Sequence, residues 1–269
     1  MLQPNFFNTI FLFPILNLLI ALYKLFSLIK LPGDFGWAII SLTVIIRIAL
    51  HPFFKQQLET AKKLQDIKPI TDKLNEKYKK DPKKLQQEQM RIYQEAGINP
   101  AAGCLFMIVQ IPIFLALYQT FYTLLLNGTT GKIIERINNV LYAPFLKIQS
   151  LDTWFFGFNL ALTPAKAKLW YYYLIPVITA GLQYWQANVM TPTMAPEKKV
   201  DEKSDKKGST GDDFQKAMGM QMKYILPLMI GWFSYSMPIG LSVYWNIFSI
   251  FSIWQYQQLK IKAPTSGKK

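Results

Sequence analysis

The sequence predicts an all-α membrane protein: a core of five transmembrane helices, an N-terminal interfacial amphipathic helix and a cytoplasmic two-helix hairpin. Three observations carry this. Hydrophobic residues make up 51% of the 269 and aromatic residues 15%, gathered into long runs. The 30 Lys and Arg sit mainly between those runs, where basic loops mark the cytoplasmic side. One run, residues 35–54 (FGWAIISLTVIIRIALHPFF), has the length of a bilayer crossing, about 20 residues, and holds Arg47 well inside it. A guanidinium at that depth costs roughly 2.5 to 3.5 kcal/mol on the insertion scale and keeps its proton, so it must face protein or water.

Composition also removes function classes. The net charge of +14 is topological first, because it follows the loops rather than one continuous patch. One cysteine, Cys104, and one histidine, His51, leave too few ligands for a disulfide framework or a typical zinc site, so no metal or cofactor is expected. The carboxylates are confined to loops, and no P-loop or dinucleotide fingerprint occurs, so an enzyme is not expected.

Each element has its own signal. Residues 1–33 form the interfacial helix on the external side. No basic residue precedes Lys24, so a cleaved signal peptide is not expected, and Asn17, Lys24 and Ser27 fall on one helical side. Its rival, a sixth span, would leave Lys24 and Lys30 on the wrong side. Residues 34–55 are the first span, running from outside to inside. Residues 56–98 form the hairpin, and residues 55–91 carry eleven Lys or Arg. Leu58, Ala61, Leu64, Ile67, Ile70, Leu74 and Tyr78 mark a first amphipathic helix, with an interruption expected at Pro69. Asp81 is the N-cap of the second, Pro82 suits its first position, and Gly97 closes it before Asn99-Pro100.

The second span is 99–127 and the third 169–190. The external loop between them, 128–168, has a possible interfacial segment at Ile133 to Ile148. Residues 191–217 are polar and rich in Lys, Asp, Ser and Gly, the composition of a disordered cytoplasmic linker. Spans at 218–237 and 238–259 lead to a basic tail, 260–269. On this topology 22 of the 30 basic residues are cytoplasmic and seven external, with Arg47 between. The N-terminus is outside and the C-terminus cytoplasmic.

Neutral polar residues recur at helical spacing: Thr43, Arg47 and His51 in the first span, Thr179, Gln183 and Gln186 in the third, and Ser242, Asn246, Ser249 and Ser252 in the last, beside Trp245. Gln110, before Pro112, is a fourth contributor. Together they predict a wet cavity within the membrane around one fixed positive charge. Taken singly, such residues are ordinary hydrogen bonds between spans, Tyr244 and Trp245 are packing residues, and Cys104 is a small hydrophobe. His51 belongs to the interface, and Met218, Met220 and Met222 fill gaps. Arg47 alone demands a functional reading.

Four segments in order, TVIIRIALHP, the hairpin KLQDIKPITDKLNEKYKKDPKKLQQEQMRIYQEAGINP, AGCLFMIVQIPIFLALYQ and MPIGLSVYWNIFSIFSIWQ, resemble the YidC-type membrane protein insertases. Ala101-Ala102-Gly103-Cys104 departs from that family's usual Leu-Gly-Gly-Cys. No large external domain or lipoprotein cysteine is seen, which resembles the compact bacterial form. The resemblance implies a groove open to the cytoplasm and to lipid and closed externally. In it, nascent membrane proteins are received and inserted into the bacterial inner membrane without nucleotide hydrolysis. It carries the groove arginine to Arg47, with Gln110, the residues from Gln183 through Gln186 to Asn188, and Trp245 as lining beside Thr43, Ser242 and Asn246. The phospholipid bilayer, the ribosome, the Sec translocon and the signal-recognition machinery are its expected partners. Docking is expected at hairpin lysines Lys62, Lys63, Lys73, Lys77, Lys83 and Lys84 and at tail lysines Lys260, Lys262, Lys268 and Lys269. The rival from another class is a small anion transporter or channel binding solute at Arg47.

Overall fold

The computed structural model describes residues 2–78, 81–98, 101–126, 131–190 and 221–262. The expected linker, 191–217, and Lys268 and Lys269 lie outside the described residues. The structure is mainly helical, as expected. A π-helical turn, Asn8–Leu12, leads into α1 (Phe13–Leu28), followed by α2 (Asp34–Ala49), α3 (His51–Lys77), α4 (Pro82–Glu95) and α5 (Ala101–Phe121), which ends in a π turn, Tyr122–Leu126. A lobe then comprises α6 (Gly131–Asn138), a 3-10 turn (Pro144–Leu146), strands β1 (Trp154–Phe155) and β2 (Phe158–Asn159), and α7 (Pro164–Ala167). A 3-10 turn, Trp170–Tyr173, opens α8 (Leu174–Met190), and Gln221–Ile225 leads to α9 (Leu226–Ser236) and α10 (Ile239–Lys262).

The core forms where apolar residues recur on one helical side. Leu12, Leu16, Leu19 and Ile20 meet Phe35, Ala38, Ile39 and Leu42, with Leu117 and Phe121 of α5 and Leu241 and Tyr244 of α10 against them. Helix α8 packs between α9 and α10. The fit between α9 and α8 is close at Gly231, where a Cβ would stand 2.8 Å from the Cβ of Ala180.

Three expectations are corrected. The run 35–54 is two helices, not one: the chain breaks at Leu50, and Asp34–Ala49 meets His51–Leu64 at 59°. Pro52, in the first turn of α3, has no N–H for a carbonyl of α2, so a new helix starts there. Conversely, α3 runs through Pro69 without a stop. Within residues 131–168, β1 and β2 pair antiparallel, Trp154 with Asn159 and Phe155 with Phe158. Finally, Asn17 does not share the outer side of α1 with exposed Ser27. It is buried: its Nδ2 donates to Val140 O at 3.2 Å, and its Oδ1 accepts from Tyr142 N at 2.7 Å. A side chain able to satisfy two loop backbone groups is worth more inside than in water.

The hairpin ends behave as their sequence chemistry requires. The Asp81 side chain accepts from Lys84 N at 3.1 Å, and Gly97, at φ +62°, lets Ile98 N reach Tyr93 O at 2.8 Å. α3 and α4 are tied by Gln89 Nε2 donating to Asn75 Oδ1 at 2.8 Å and Lys63 Nζ donating to Gly97 O at 3.2 Å.

By length and composition alone, one helical stretch among the described residues, Asn8–Leu28, could cross a membrane, and the bent pair around Leu50 qualifies as a second. Yet α1 keeps company with the lobe along its length: Asn17 bonds to residues 140 and 142, and Tyr23 Oη accepts from Asp152 N at 3.3 Å.

The lobe closes one end of the bundle. The first N–H groups of α10 donate to lobe carbonyls, Ile239 to Leu162 O and Gly240 to Leu160 O, both at 3.0 Å. The Phe155 ring fills the space beside Gly33 and Gly36, where added Cβ atoms would lie 2.6 and 2.1 Å from it. Gly36→Ala is therefore expected to destabilise the protein by about 1 to 3 kcal/mol through overpacking, with Phe155→Leu recovering part of the loss in a double-mutant cycle of thermal unfolding in detergent. Asn17→Leu should cost a similar amount, about 1 to 3 kcal/mol, because Tyr142 N and Val140 O lose a buried partner; the same melting assay reads it.

Candidate functional site

A line of polar side chains follows α10 from its start: Ser242, Trp245, Ser249, Ser252 and Gln255, a stretch of fourteen residues that rises about 20 Å along the helix. Near the lobe, Ser234 Oγ lies 2.8 Å from Ser242 Oγ and donates to Thr179 Oγ1 at 3.4 Å, joining α9, α10 and α8. One turn on, Gln183 Oε1 accepts from both Trp245 Nε1 (3.0 Å) and Ser249 Oγ (3.1 Å), while the Trp245 ring meets Phe114 of α5 edge-on at 5.4 Å. Trp245, expected to be a packing residue, is thus also a hydrogen-bond donor.

The line ends at Arg47, which is 3% exposed. Its Nη2 donates to Ser252 Oγ, and Ser252 in turn donates to Phe248 O at 2.7 Å. The guanidinium carbon sits 4.2 Å from the Phe248 ring centre, 4.7 Å from Phe54 and 5.9 Å from Phe251. Among the described residues no carboxylate comes within ion-pair distance of it; Lys55 pairs with Glu59 and Arg91 with Glu88 and Glu95, within the hairpin. Arg47 Nε is buried with no acceptor among those residues. Beyond Arg47, Gln255 Nε2 and His51 Nδ1 are 3.0 Å apart and link α10 to the start of α3.

Aromatic rings, which the expected lining did not include, surround Arg47. The sequence offered a weak signal for them, since Phe248 and Phe251 flank the polar residues of α10 by one turn and Phe54 follows Arg47 by two. Of the other expected lining residues, Thr43 is buried and donates to Ile39 O of its own helix at 2.7 Å, so its hydroxyl is already engaged. Gln110 and Asn246 each hold a buried side-chain oxygen without a partner among the described residues. Gln186 and Asn188 are half-buried on α8. The hairpin lysines Lys62, Lys63, Lys73, Lys77, Lys83 and Lys84 are all exposed, with Lys77 and Lys84 over the Tyr78 ring at 5.3 and 5.5 Å. The backbone of Lys260 and Lys262 continues α10, so the last helix outruns the span expected to end at 259.

Residues 14–266, which include every side chain of this polar line, match the family described as 60Kd inner membrane protein. The chain belongs to the YidC-type membrane protein insertase family. It is similar to the membrane protein insertase YidC of Wolinella succinogenes, 31% identical over 263 residues that cover 98% of this chain and 39% of that protein. It is 30% identical to the YidC of Helicobacter pylori over 237 residues, 88% of this chain and 34% of that one. With the chloroplast inner membrane ALBINO3-like protein 2 of Chlamydomonas reinhardtii it shares 32% identity over 258 residues, 88% of this chain and 55% of that protein. The chain spans between about a third and about half the length of these relatives. For this YidC-family chain the family match thus covers both the covered arginine and the polar ladder that leads to it.

Two opposing terms of equal size act on Arg47. Burial of the charge costs roughly 2.5 to 3.5 kcal/mol, while each cation–π contact returns about 0.5 to 1 kcal/mol or more and a charged hydrogen bond about 1.5 to 3. Arg47→Met, which keeps the volume, should therefore leave thermal stability in detergent within about 1 kcal/mol of the parent. A loss well beyond that would make Arg47 a structural residue.

Proposed function

We propose that this chain is a membrane protein insertase that receives hydrophilic segments of nascent membrane proteins at Arg47 and eases them across the inner membrane without nucleotide hydrolysis. One observation carries the reading: a permanent cation is held on neutral and aromatic partners, with no carboxylate of its own among the described residues. Such a group is free to accept an acid from a client.

The depth of the site supports this. Trp37 lies in the first turn of α2 beside the lobe, and Arg47 is ten residues further, about 15 Å along a helix. A bilayer core of about 30 Å puts that distance at its midplane. In this reading α2, α8 and α10 run inward from the lobe, α5 and α9 run back towards it, and these five are the spans. α1 stays at the external interface, held by Asn17 and Tyr23. The hairpin and the C-terminal lysines face the cytoplasm, where ribosome, Sec translocon and signal-recognition machinery are candidate partners. The names of the relatives support an insertase activity and an inner-membrane location.

The chemistry is electrostatic. A carboxylate about 4 Å from the guanidinium gains about 4 kcal/mol at an effective dielectric of 20, enough to offset the roughly 2.5 to 3.5 kcal/mol that an aspartate costs at mid-membrane. The client acid displaces Ser252 from Arg47, and the rings of Phe54, Phe248 and Phe251 move aside or stack on the new pair. Burial of the client's own span, about 20 apolar residues, then supplies the drive. The exposed Leu228 and Trp232 of α9 and Ile178 and Val177 of α8 offer it a lipid-facing surface.

Insertion into reconstituted vesicles tests the proposal. Arg47→Ala is expected to cut insertion of clients with acidic external tails by about tenfold, the effect of losing roughly 1.4 kcal/mol of barrier lowering, while Arg47→Lys retains most of it and clients with uncharged tails are little affected. Equal insertion by all three proteins would remove Arg47 from the mechanism.

A further inference from the structure

The external hairpin carries aromatic surface that the fold does not use. Trp154 is 55% exposed, Phe156 68% and Trp170, just past α7, 74%. Phe156 and Gly157 form its two-residue turn, with φ of +45° and +86°. A turn with both central residues at positive φ favours Asn, Asp or Gly in its first place, because a Cβ crowds the backbone there. Phenylalanine accepts that steric penalty, yet its ring gains within the protein only an edge contact to Trp37 at 6.3 Å and one to Phe155 at 4.8 Å.

We propose that this hairpin is a lipid anchor, with Phe156, Trp154 and Trp170 seated in the headgroup and upper acyl region of the external leaflet. Three features of the structure favour lipid over a protein partner. First, the hairpin is fixed at the level where apolar helices begin: Phe155 is wedged against Gly33 and Gly36 at the start of α2, and the residues after β2 accept from the first N–H groups of α10. Second, the rings continue a girdle at the same ends of neighbouring helices, where Tyr173 stacks on Tyr235 at 6.1 Å and Trp232 lies 6.1 Å further along. Rings with an apolar body and a polar edge concentrate at that boundary. Third, the lobe from 131 to 168 holds five basic residues, Lys132, Arg136, Lys147, Lys166 and Lys168, against Glu135 and Asp152, a surplus suited to lipid phosphates. The inference needs the chain to reside in a membrane, but not the role given to Arg47. Its test contains no insertion step, so the two can fail separately.

The full chain carrying Cys104→Ser and Phe156→Cys, labelled with a small environment-sensitive fluorophore, would be reconstituted in phosphatidylcholine and phosphatidylglycerol vesicles. Its quenching by phosphatidylcholine spin-labelled near the headgroup would be compared with quenching by aqueous iodide, using Lys83→Cys as the water-exposed reference. The expected result is about twofold or stronger quenching by the lipid than at Lys83, with iodide quenching reduced by a similar factor. Iodide quenching equal to that at Lys83 would overturn the anchor, as would protection from both quenchers, which would indicate a protein cover. Trp170→Cys, which leaves the turn intact, should give the same pattern, and its failure to do so also counts against the proposal.

Discussion

A charge that keeps its proton, with no partner of opposite sign among the described residues, organises this structure. Arg47 survives burial because α10 brings Ser252 and the faces of Phe248 and Phe251 to it, while Phe54 returns from the far side of the break at Leu50. Removing an arginine from water and surrounding it with ring quadrupoles and one hydroxyl are effects of comparable size, a few kcal/mol each. The site is therefore poised rather than locked. A buried acid would have held it permanently and left no capacity for a visitor's charge.

The two ends of the bundle differ in kind. At the lobe, backbone groups of α10 are satisfied by Leu160 and Leu162, and aromatic rings fill glycine-sized gaps against α2. Packing at that density has little room to rearrange. At the other end the contacts are a single helix break, a Gln255 to His51 hydrogen bond and an exposed hairpin. α3 follows α2 after one residue and carries Phe54, one ring of the box around Arg47, on its first turn.

Much of this was legible in the sequence because hydropathy and spacing are local properties. The polar residues of α10 recur every three or four positions, and the structure brings Ser249 and Trp245 onto Gln183 and Ser242 onto Ser234. Asp81 and Gly97 announced the ends of α4 because caps are read over a few residues. Pro69 misled for the opposite reason. A proline removes one hydrogen bond, and a long exposed helix with partners on α4 can absorb that loss. Asn17 misled because spacing reports a side but not whether loop backbone groups wait there.

By itself the sequence determined the helical class, the family and the identity of the one cation that cannot leave its proton, since length, charge placement and chemistry are written residue by residue. Only the tertiary structure decided what surrounds that cation. Phe54, Phe248 and Phe251 are apolar residues like many others until α2, α3 and α10 meet, and the exposed ring of Phe156 is unremarkable until its backbone is found at positive φ. Proximity between distant segments is set by packing, which no local pattern encodes.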